Sequence, residues 1–254
     1  MQNTKYQTVI IGGCIAGMQA AIQLQKFGIK ALILEKESHL GGNIKNWYKV
    51  FPGFRPVAEV TEPVITEIDE RKIPTFLNTE VVNIETVFDN YTVKTNDGKT
   101  FEAESLLMAT GFNVFDAKKK EEYGYGIYPN VLTSVEIENQ LRSNAMTIEP
   151  KRIALLHCVG SRDEKVRNFH CSKVCCISAV KQAIELKERY PQAEIICLYM
   201  DLRMYDNGFE ELYREAQVKH GIRFIRGRLS ECGMDIDKKL ILKIQDTLVG
   251  LPMR

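Results

Sequence analysis

Four cysteines fall within nineteen residues of this chain, Cys158, Cys171, Cys175 and Cys176, with the spacing C-x12-C-x3-C-C. Thiolates are soft ligands, and four of them this close suit an iron–sulfur cluster or zinc. The adjacent pair Cys175-Cys176 fits a compact zinc knot poorly, because such sites use C-x2–4-C pairs. A dithiol/disulfide couple at Cys175 and Cys176 is another reading, and a chance grouping of buried free cysteines is a third. Arg162, Lys165, Arg167, His170 and Lys173 share the loop and would offset the negative charge of a thiolate cluster. The chain has seven cysteines in all. An odd count without a secretory signal argues against a disulfide framework. Cys197, in an apolar run, reads as a buried strand residue.

A second constellation is "IIGGCIAG", residues 10–17. A G-x-G-x-x-G turn between a strand and a helix holds a dinucleotide diphosphate on backbone N–H groups and the helix dipole. Gly12 and Gly17 take the outer places, Gly13 and Ala16 lie inside the turn, and Cys14 stands where the middle glycine belongs. Glu35 comes eighteen positions past Gly17, close to the roughly 20 expected of the acid that takes the ribose hydroxyls, and Lys36 follows it. Ala20 and Ala21 let the helix pack close to the sheet. Gly41-Gly42 and Ala109-Thr110-Gly111 add further glycine turns. A Rossmann-like sheet that binds nothing, and an NAD site, are the alternatives. Cys14 has three readings: tolerated packing, an altered cofactor pose, or a redox thiol at a helix N-terminus.

These residues need an α/β scaffold. "QTVIIG", a helix ending at Gly28 and "KALILEK" make a β-α-β unit of the length a right-handed crossover requires. "YTVKT" and "KTFEAE" flank Asn96-Asp97-Gly98, a hairpin signal, and "SLLMATG" follows, so a β-meander lies on a parallel sheet. Residues 113–150 are mixed, with a capped helix starting at Thr133 or Ser134. From Pro150 the pattern runs strand "KRIALLHCVG", helix "CCISAVKQAIELKERYP", strand "AEIICLYMDL", helix "GFEELYREAQVKHG" and strand "IRFIRG", with "KLILKIQDTL" last. The reading is two Rossmann-like units: residues 1–115 as a cofactor domain with the meander, 116–150 connecting, and 151–254 carrying the cysteines.

Composition adds exclusions. Net charge is +1 over 254 residues, so nothing argues for nucleic acid or a membrane surface. No apolar run approaches the roughly 20 residues of a spanning helix, and the polar start is not a signal peptide. A cytoplasmic protein is the expectation.

The first half resembles the FAD-binding half of two-dinucleotide-domain flavoproteins such as thioredoxin reductase. The second half lacks the glycine turn by which those proteins bind NADPH. "CVGSRD…HCSKVCC", "YPQAEIICLYMDLRMY" and "GIRFIRGRLSE" resemble the A-type subunits of heterodisulfide reductase and of the quinone-interacting membrane-bound oxidoreductase, over nearly the whole chain. The resemblance implies FAD and a [4Fe-4S] cluster on Cys158, Cys171, Cys175 and Cys176. It also implies a catalytic lysine near the flavin N5, matched by Lys181, for which a solvated helix lysine is the plain alternative. By the same resemblance Gly12, Gly13 and Gly17 contact the pyrophosphate, with Cys14 and Ala16 in the same turn. Glu35 lies at the ribose, Gly42 and Asn43 at the ribityl chain, Val82 at the adenine edge and Gly111 at the diphosphate side, with Lys36, Gly41 and Thr110 also counted as cofactor-binding.

Two departures stand out. No cysteine occurs between positions 15 and 157, so the ferredoxin insert of many relatives is missing. The chain also stops at "DTLVGLPMR", where such flavoproteins return to the FAD domain. The expectation is therefore a short form, with its FAD segment supplied by another chain or lost from a fragment. The implied function is that of an electron-transfer subunit passing electrons between flavin and iron–sulfur partner subunits of a redox complex, with a homodimer among the assemblies allowed. A thioredoxin-reductase-like dithiol flavoenzyme using Cys175 and Cys176, and a non-catalytic metal-binding scaffold, are the rivals.

Overall fold

A computed structural model describes residues 4–147 and 149–253. The chain forms two units, one of residues to Val50 with Phe54–Asn113, the other of Phe51–Gly53 with the residues from Val114 onward.

The first unit runs β1 (Thr4–Ile11), α1 (Ile15–Lys26), β2 (Ala31–Leu34), β3 (Lys49–Val50), β4 (Arg55–Pro56), α2 (Val57–Glu70), β5 (Thr75–Phe76), β6 (Val81–Val87), β7 (Asn90–Thr95) and β8 (Thr100–Met108). Its main sheet has the order β5-β2-β1-β8-β7-β6. β5, β2, β1 and β8 are parallel, and β7 and β6 extend them antiparallel. Alternation along β1 serves two cores. Val9 and Ile11 pack with Leu32, Leu34, Val93 and Phe101 on one face. Ile10 packs with Met18, Ile22, Ile33 and Ile68 on the other, beneath α1 and α2. A strand covered on both faces reads as an unbroken apolar run, which is why "VII" carries no polar position. The expected hairpin joins β7 to β8, with Gly98 at φ +80°.

The second unit runs α3 (Ser134–Ser143), β9 (Arg152–Leu156), α4 (Cys175–Arg189), β10 (Glu194–Tyr199), α5 (Phe209–Val218), β11 (Arg223–Met234), β12 (Leu240–Asp246) and β13 (Leu251–Met253). Its sheet has the order β13-β12-β11-β10-β9. β9, β10 and β11 are parallel, β12 and β13 antiparallel. Thr133 is the cap of α3. It accepts the Glu136 N–H at 3.3 Å while its own N–H donates to Glu136 Oε2 at 2.7 Å, a capping box that contributes about 1 kcal/mol. Both units are thus α/β and Rossmann-like. Among the described residues no helix is long and apolar enough to cross a membrane.

Candidate functional site

In the first unit β1, β2 and β8 end side by side, and the turns that follow them are tied together. The Gly12 N–H donates to Leu34 O at 2.8 Å and the Ala109 N–H to Ile11 O at 2.8 Å. Gly12 has φ +109°, and a Cβ there would lie 2.2 Å from Ala109 O. A Cβ on Gly17 would lie 2.1 Å from Gly12 O, so α1 approaches the turn as closely as a hydrogen atom allows. Gly13 donates its N–H to Glu35 Oε2 at 2.6 Å, and Glu37 donates to Glu35 Oε1 at 2.8 Å. Glu35 is buried, and its carboxylate is fixed at the end of β2 by main-chain donors. The Gly41 N–H donates to Gly13 O at 2.9 Å, and Asn43 Nδ2 donates to Phe112 O at 2.5 Å. Gly12, Gly13, Cys14, Gly17, Glu35, Gly41, Gly42 and Asn43 therefore converge with the 109–112 turn, which includes Thr110 and Gly111. Lys36 is exposed beside Glu35. Val82 comes three residues after Thr79, whose N–H donates to Glu35 O at 2.8 Å, and is itself exposed on β6.

Cys14 is the residue preceding α1 and makes no side-chain cap bond, and the first turn of the helix holds no acidic residue. The first-turn N–H groups of a helix, here those of Ala16 and Gly17 among them, have no partner within the helix and suit an anion. The Cys14 thiol donates to Ala109 O at 3.1 Å. A Cβ on Gly42 would stand 2.9 Å from Cys14 Cβ. The glycine missing from the middle of the turn is thus matched by a glycine across from it, and the sulfur has a hydrogen-bond acceptor. That is the tolerated-packing reading of Cys14 in structural terms. Leu40 is a residue that sequence reasoning misses: its Cδ2 lies 2.4 Å from where a Gly13 Cβ would be. Gly13, outside the G-x-G-x-x-G pattern, is the signal that points to it.

In the second unit the turn after β9 holds the cysteines. Cys158 follows the strand in the left-handed region at φ +59°, and Gly160, Arg162, Arg167 and Lys173 are also left-handed. Non-glycine residues in that region cost of order 1–3 kcal/mol each and persist where the surroundings enforce them. Here several anchors do so. Asp163, buried, accepts from Lys120 Nζ at 2.8 Å, from Arg228 Nη2 at 2.6 Å and from the Lys165 N–H at 3.0 Å. Asp163 and Asn168 exchange main-chain bonds at 2.8 and 3.0 Å. Ser161 Oγ donates to His170 O at 2.9 Å and accepts from the Ser172 N–H at 3.0 Å. Phe115 packs where a Gly160 side chain would project.

The loop brings three thiols together at the start of α4. Cys158 Sγ lies 3.9 Å from Cys175 Sγ. Hydrogen bonds from the Cys158 and Cys176 thiols hold Cys175 well below the ordinary thiol range, while Cys158 and Cys176, donating to it, are held well above. The Arg203 N–H approaches Cys176 Sγ at 3.5 Å and the Lys173 N–H approaches Cys171 Sγ at 3.4 Å. Among the described residues no three His, Cys, Asp or Glu side chains form a ready coordination shell; the sulfurs are drawn onto one another instead. The donor set is nonetheless all thiol, and the carboxylates of Asp163 and Asp201 are bound to cations. In donor type it fits a thiolate-ligated centre. Cys197 is fully buried on β10, and burial pushes its thiol up to about 12.

His157, next to Cys158, is buried with neither ring nitrogen partnered among the described residues. Burial holds its pKa down to about 4, below the ordinary value of about 6.5. As pH falls the unfolded chain takes up this proton first. The contribution to stability is therefore complete above about pH 6.5 and is lost as pH falls toward about 4, up to about 3 kcal/mol in all. Urea unfolding at pH 7 and pH 5 checks this: the wild-type midpoint drops, and His157→Phe removes that part of the drop. An equal drop in the variant would assign the pH dependence elsewhere.

Lys181 is 1 % exposed, so it is not a solvated helix lysine. Its Nζ donates to Glu138 Oε1 at 2.6 Å and to Glu185 Oε2 at 3.0 Å. Gln182 Nε2 donates to the same Glu138 oxygen at 2.8 Å and to Ser134 O at 2.7 Å. The lysine thus ties α4 to α3 inside the second unit.

Comparison with known proteins gives the frame for both sites. A family model described as pyridine nucleotide-disulphide oxidoreductase matches residues 6–160. One iron-sulfur A-type subunit of the CoB–CoM heterodisulfide reductase of Methanopyrus kandleri is 31% identical over 341 aligned positions, covering 96% of this chain and 51% of the relative. The A-type subunit of the H(2)/formate:CoB-CoM heterodisulfide,ferredoxin reductase of Methanococcus maripaludis is 44% identical over 157 positions, 58% of this chain and 24% of the relative. The chain spans about half the length of the curated relatives it matches over its whole extent. Among solved structures, Lactococcus lactis thioredoxin reductase superposes with a TM-score of 0.65 at 22% identity, over 98% of this chain and 73% of that one. The fold is that of the thioredoxin-reductase-like flavoproteins, the curated homologues are A-type subunits of heterodisulfide reductases, and the chain belongs to the pyridine nucleotide-disulphide oxidoreductase family.

Proposed function

We propose that this chain is the flavin- and cluster-bearing electron-transfer subunit of a heterodisulfide-reductase-like complex, with FAD in the first unit and a [4Fe-4S] cluster on Cys158, Cys171, Cys175 and Cys176. The observation that carries the reading is the turn after β9. Where a second dinucleotide fold would place a glycine-rich loop, this unit places four cysteines. When bound, flavin and cluster supply between them the exchange of electron pairs and single electrons. The protein's part is positional. Gly12, Gly13 and Gly17 let the turn close against Ala109, Leu40 and α1, and the α1 N-terminus offers its N–H groups to the diphosphate. Glu35 orients toward the ribose, with Gly42, Asn43 and Gly111 around the rest of the crevice. In the second unit the Asp163 anchors hold the cysteine loop, and the Arg203 and Lys173 N–H groups lie against two of the sulfurs. Iron–sulfur subunits are the partners this reading requires; the relatives are named as A-type subunits of larger enzymes.

A dithiol flavoenzyme is the second reading; the sequence suggests Cys175 with Cys176, and the 3.9 Å approach of Cys158 to Cys175 offers Cys158 as another partner for the same thiol. One anaerobic preparation separates the two. The cluster reading expects broad absorbance near 400 nm with about four irons per chain, and Cys171→Ala loses most of the iron. Flavin bands with no iron would leave the dithiol reading. Full iron content in Cys171→Ala would remove Cys171 from the ligand set.

A further inference from the structure

Lys165, Arg167, His170 and Lys173 are exposed, whereas Arg162 is partly buried. Exposed charges are screened by solvent and salt, so the loop's five basic side chains are not equivalent. Lys165 is drawn away to Glu122 at 2.8 Å. Arg162 Nη1 donates to both carboxylate oxygens of Asp201, at 2.8 and 2.9 Å. Arg203 Nε donates to Asp201 Oδ2 at 3.4 Å. The same segment touches a cysteine through its main chain: Cys176 Sγ lies 3.8 Å from Asp201 O, and the Arg203 N–H approaches that sulfur at 3.5 Å. Two guanidiniums share one carboxylate, so the group carries a net charge of +1; Arg203 is exposed and screened by solvent, and Arg162 is the less exposed of the two cations. Arg162 is thus linked to the thiols through Asp201, whose main-chain oxygen lies against Cys176.

We propose that the Arg162–Asp201–Arg203 clamp sets the reduction potential of the centre held by Cys158, Cys171, Cys175 and Cys176, with Arg162 as the cation that favours the reduced state and Asp201 as the residue that positions it. This rests on the cluster reading above. Reduction adds one negative charge to the centre, and cluster potentials follow net charge, hydrogen bonds to sulfur and solvent exposure. A fixed, partly buried cation therefore stabilises the reduced form. Arg162 and Asp201 are positioning residues, and no bond to them forms or breaks.

The test is a potentiometric titration of the anaerobically assembled full chain, followed by the EPR signal of the reduced cluster. Arg162→Gln is expected to keep its iron and to lower the reduced-to-oxidised ratio at fixed poise about tenfold, about 59 mV for one electron. Arg162→Lys retains the charge without the fork and shifts less. Arg167→Gln, at an exposed cation, leaves the potential unchanged. Should Arg162→Gln fail to hold iron, Asp201→Asn decides. With both guanidiniums released, its potential becomes dependent on salt, whereas that of the wild type stays nearly flat. An iron-replete Arg162→Gln at the wild-type potential overturns the proposal, as does an Asp201→Asn variant as insensitive to salt as the wild type. A wild-type chain that takes up no iron overturns the underlying cluster reading, and this is seen before any variant is made.

Discussion

Gly12→Ala is expected to abolish flavin uptake and to destabilise the first unit by about 2–5 kcal/mol. Two independent effects add at this position. The backbone stands at φ +109°, where an L side chain is strained, and the new Cβ would lie 2.2 Å from Ala109 O and 2.7 Å from Ala109 C. Those are main-chain atoms at the end of a paired strand and cannot swing aside. Relief would require β1 and β8 to part at their ends, where the glycine turn is assembled. Gly13→Ala is the informative control. Its Cβ would meet Leu40 Cδ2 at 2.4 Å, the far end of a flexible side chain, and Glu35 Oε2 at 3.1 Å, so Leu40 can rotate, Glu35 must give by a few tenths of an ångström at most, and part of the affinity survives. Thermal unfolding and FAD titration by absorbance measure both variants. A Gly12→Ala chain that binds FAD like the wild type would remove this turn from the cofactor site.

The contrast between these two glycines marks how far the sequence can be read. Its pattern of G-x-x-x-x-G, Glu35 and Ala-Thr-Gly points to three turns around one crevice, because each is a local signal that follows a buried parallel strand. It holds no account of why Cys14 is tolerated, since the compensating partner is Gly42, across the turn and far along the chain. α2 is hidden in the sequence for another reason. It carries Pro63 inside, and only Val57, Thr61 and Ile68 are buried, so its apolar stripe is thin and interrupted. In the second unit the β-α-β-α-β order is legible from alternating apolar runs. β11 is legible over only half its length, because the second half turns from the parallel core to pair with β12, and one-sided burial leaves alternating polar residues. The five basic residues of the cysteine loop look alike in the sequence. Only the fold shows that Arg162 meets Asp201, thirty-nine positions away, while most of the others point to water. Long-range polar pairing leaves no periodic trace in a sequence.

Lys181→Met is expected to cost the second unit about 3–5 kcal/mol, the usual range for removing one partner from a buried ion pair. The substitution keeps an unbranched stem and shortens it by one atom, so packing changes little. What is lost is the cation between Glu138 and Glu185, which stand at 2.6 and 3.0 Å from Nζ with all three side chains at most 5 % exposed. The carboxylates are left facing one another away from solvent, and α3 loses its polar tie to α4. Replacing the whole group behaves differently. A Lys181→Met, Glu138→Leu, Glu185→Leu chain buries no charge at this place and should recover wild-type stability or exceed it. Chemical denaturation checks both steps, and a single variant as stable as the wild type would contradict the burial argument. The restored triple variant then isolates the ammonium from the scaffold. A lysine that serves only to join α3 and α4 leaves flavin content, iron content and the flavin reduction potential as they were. A lysine that acts on the flavin gives a folded, loaded chain whose flavin potential has moved, and stability data alone could never separate these two roles.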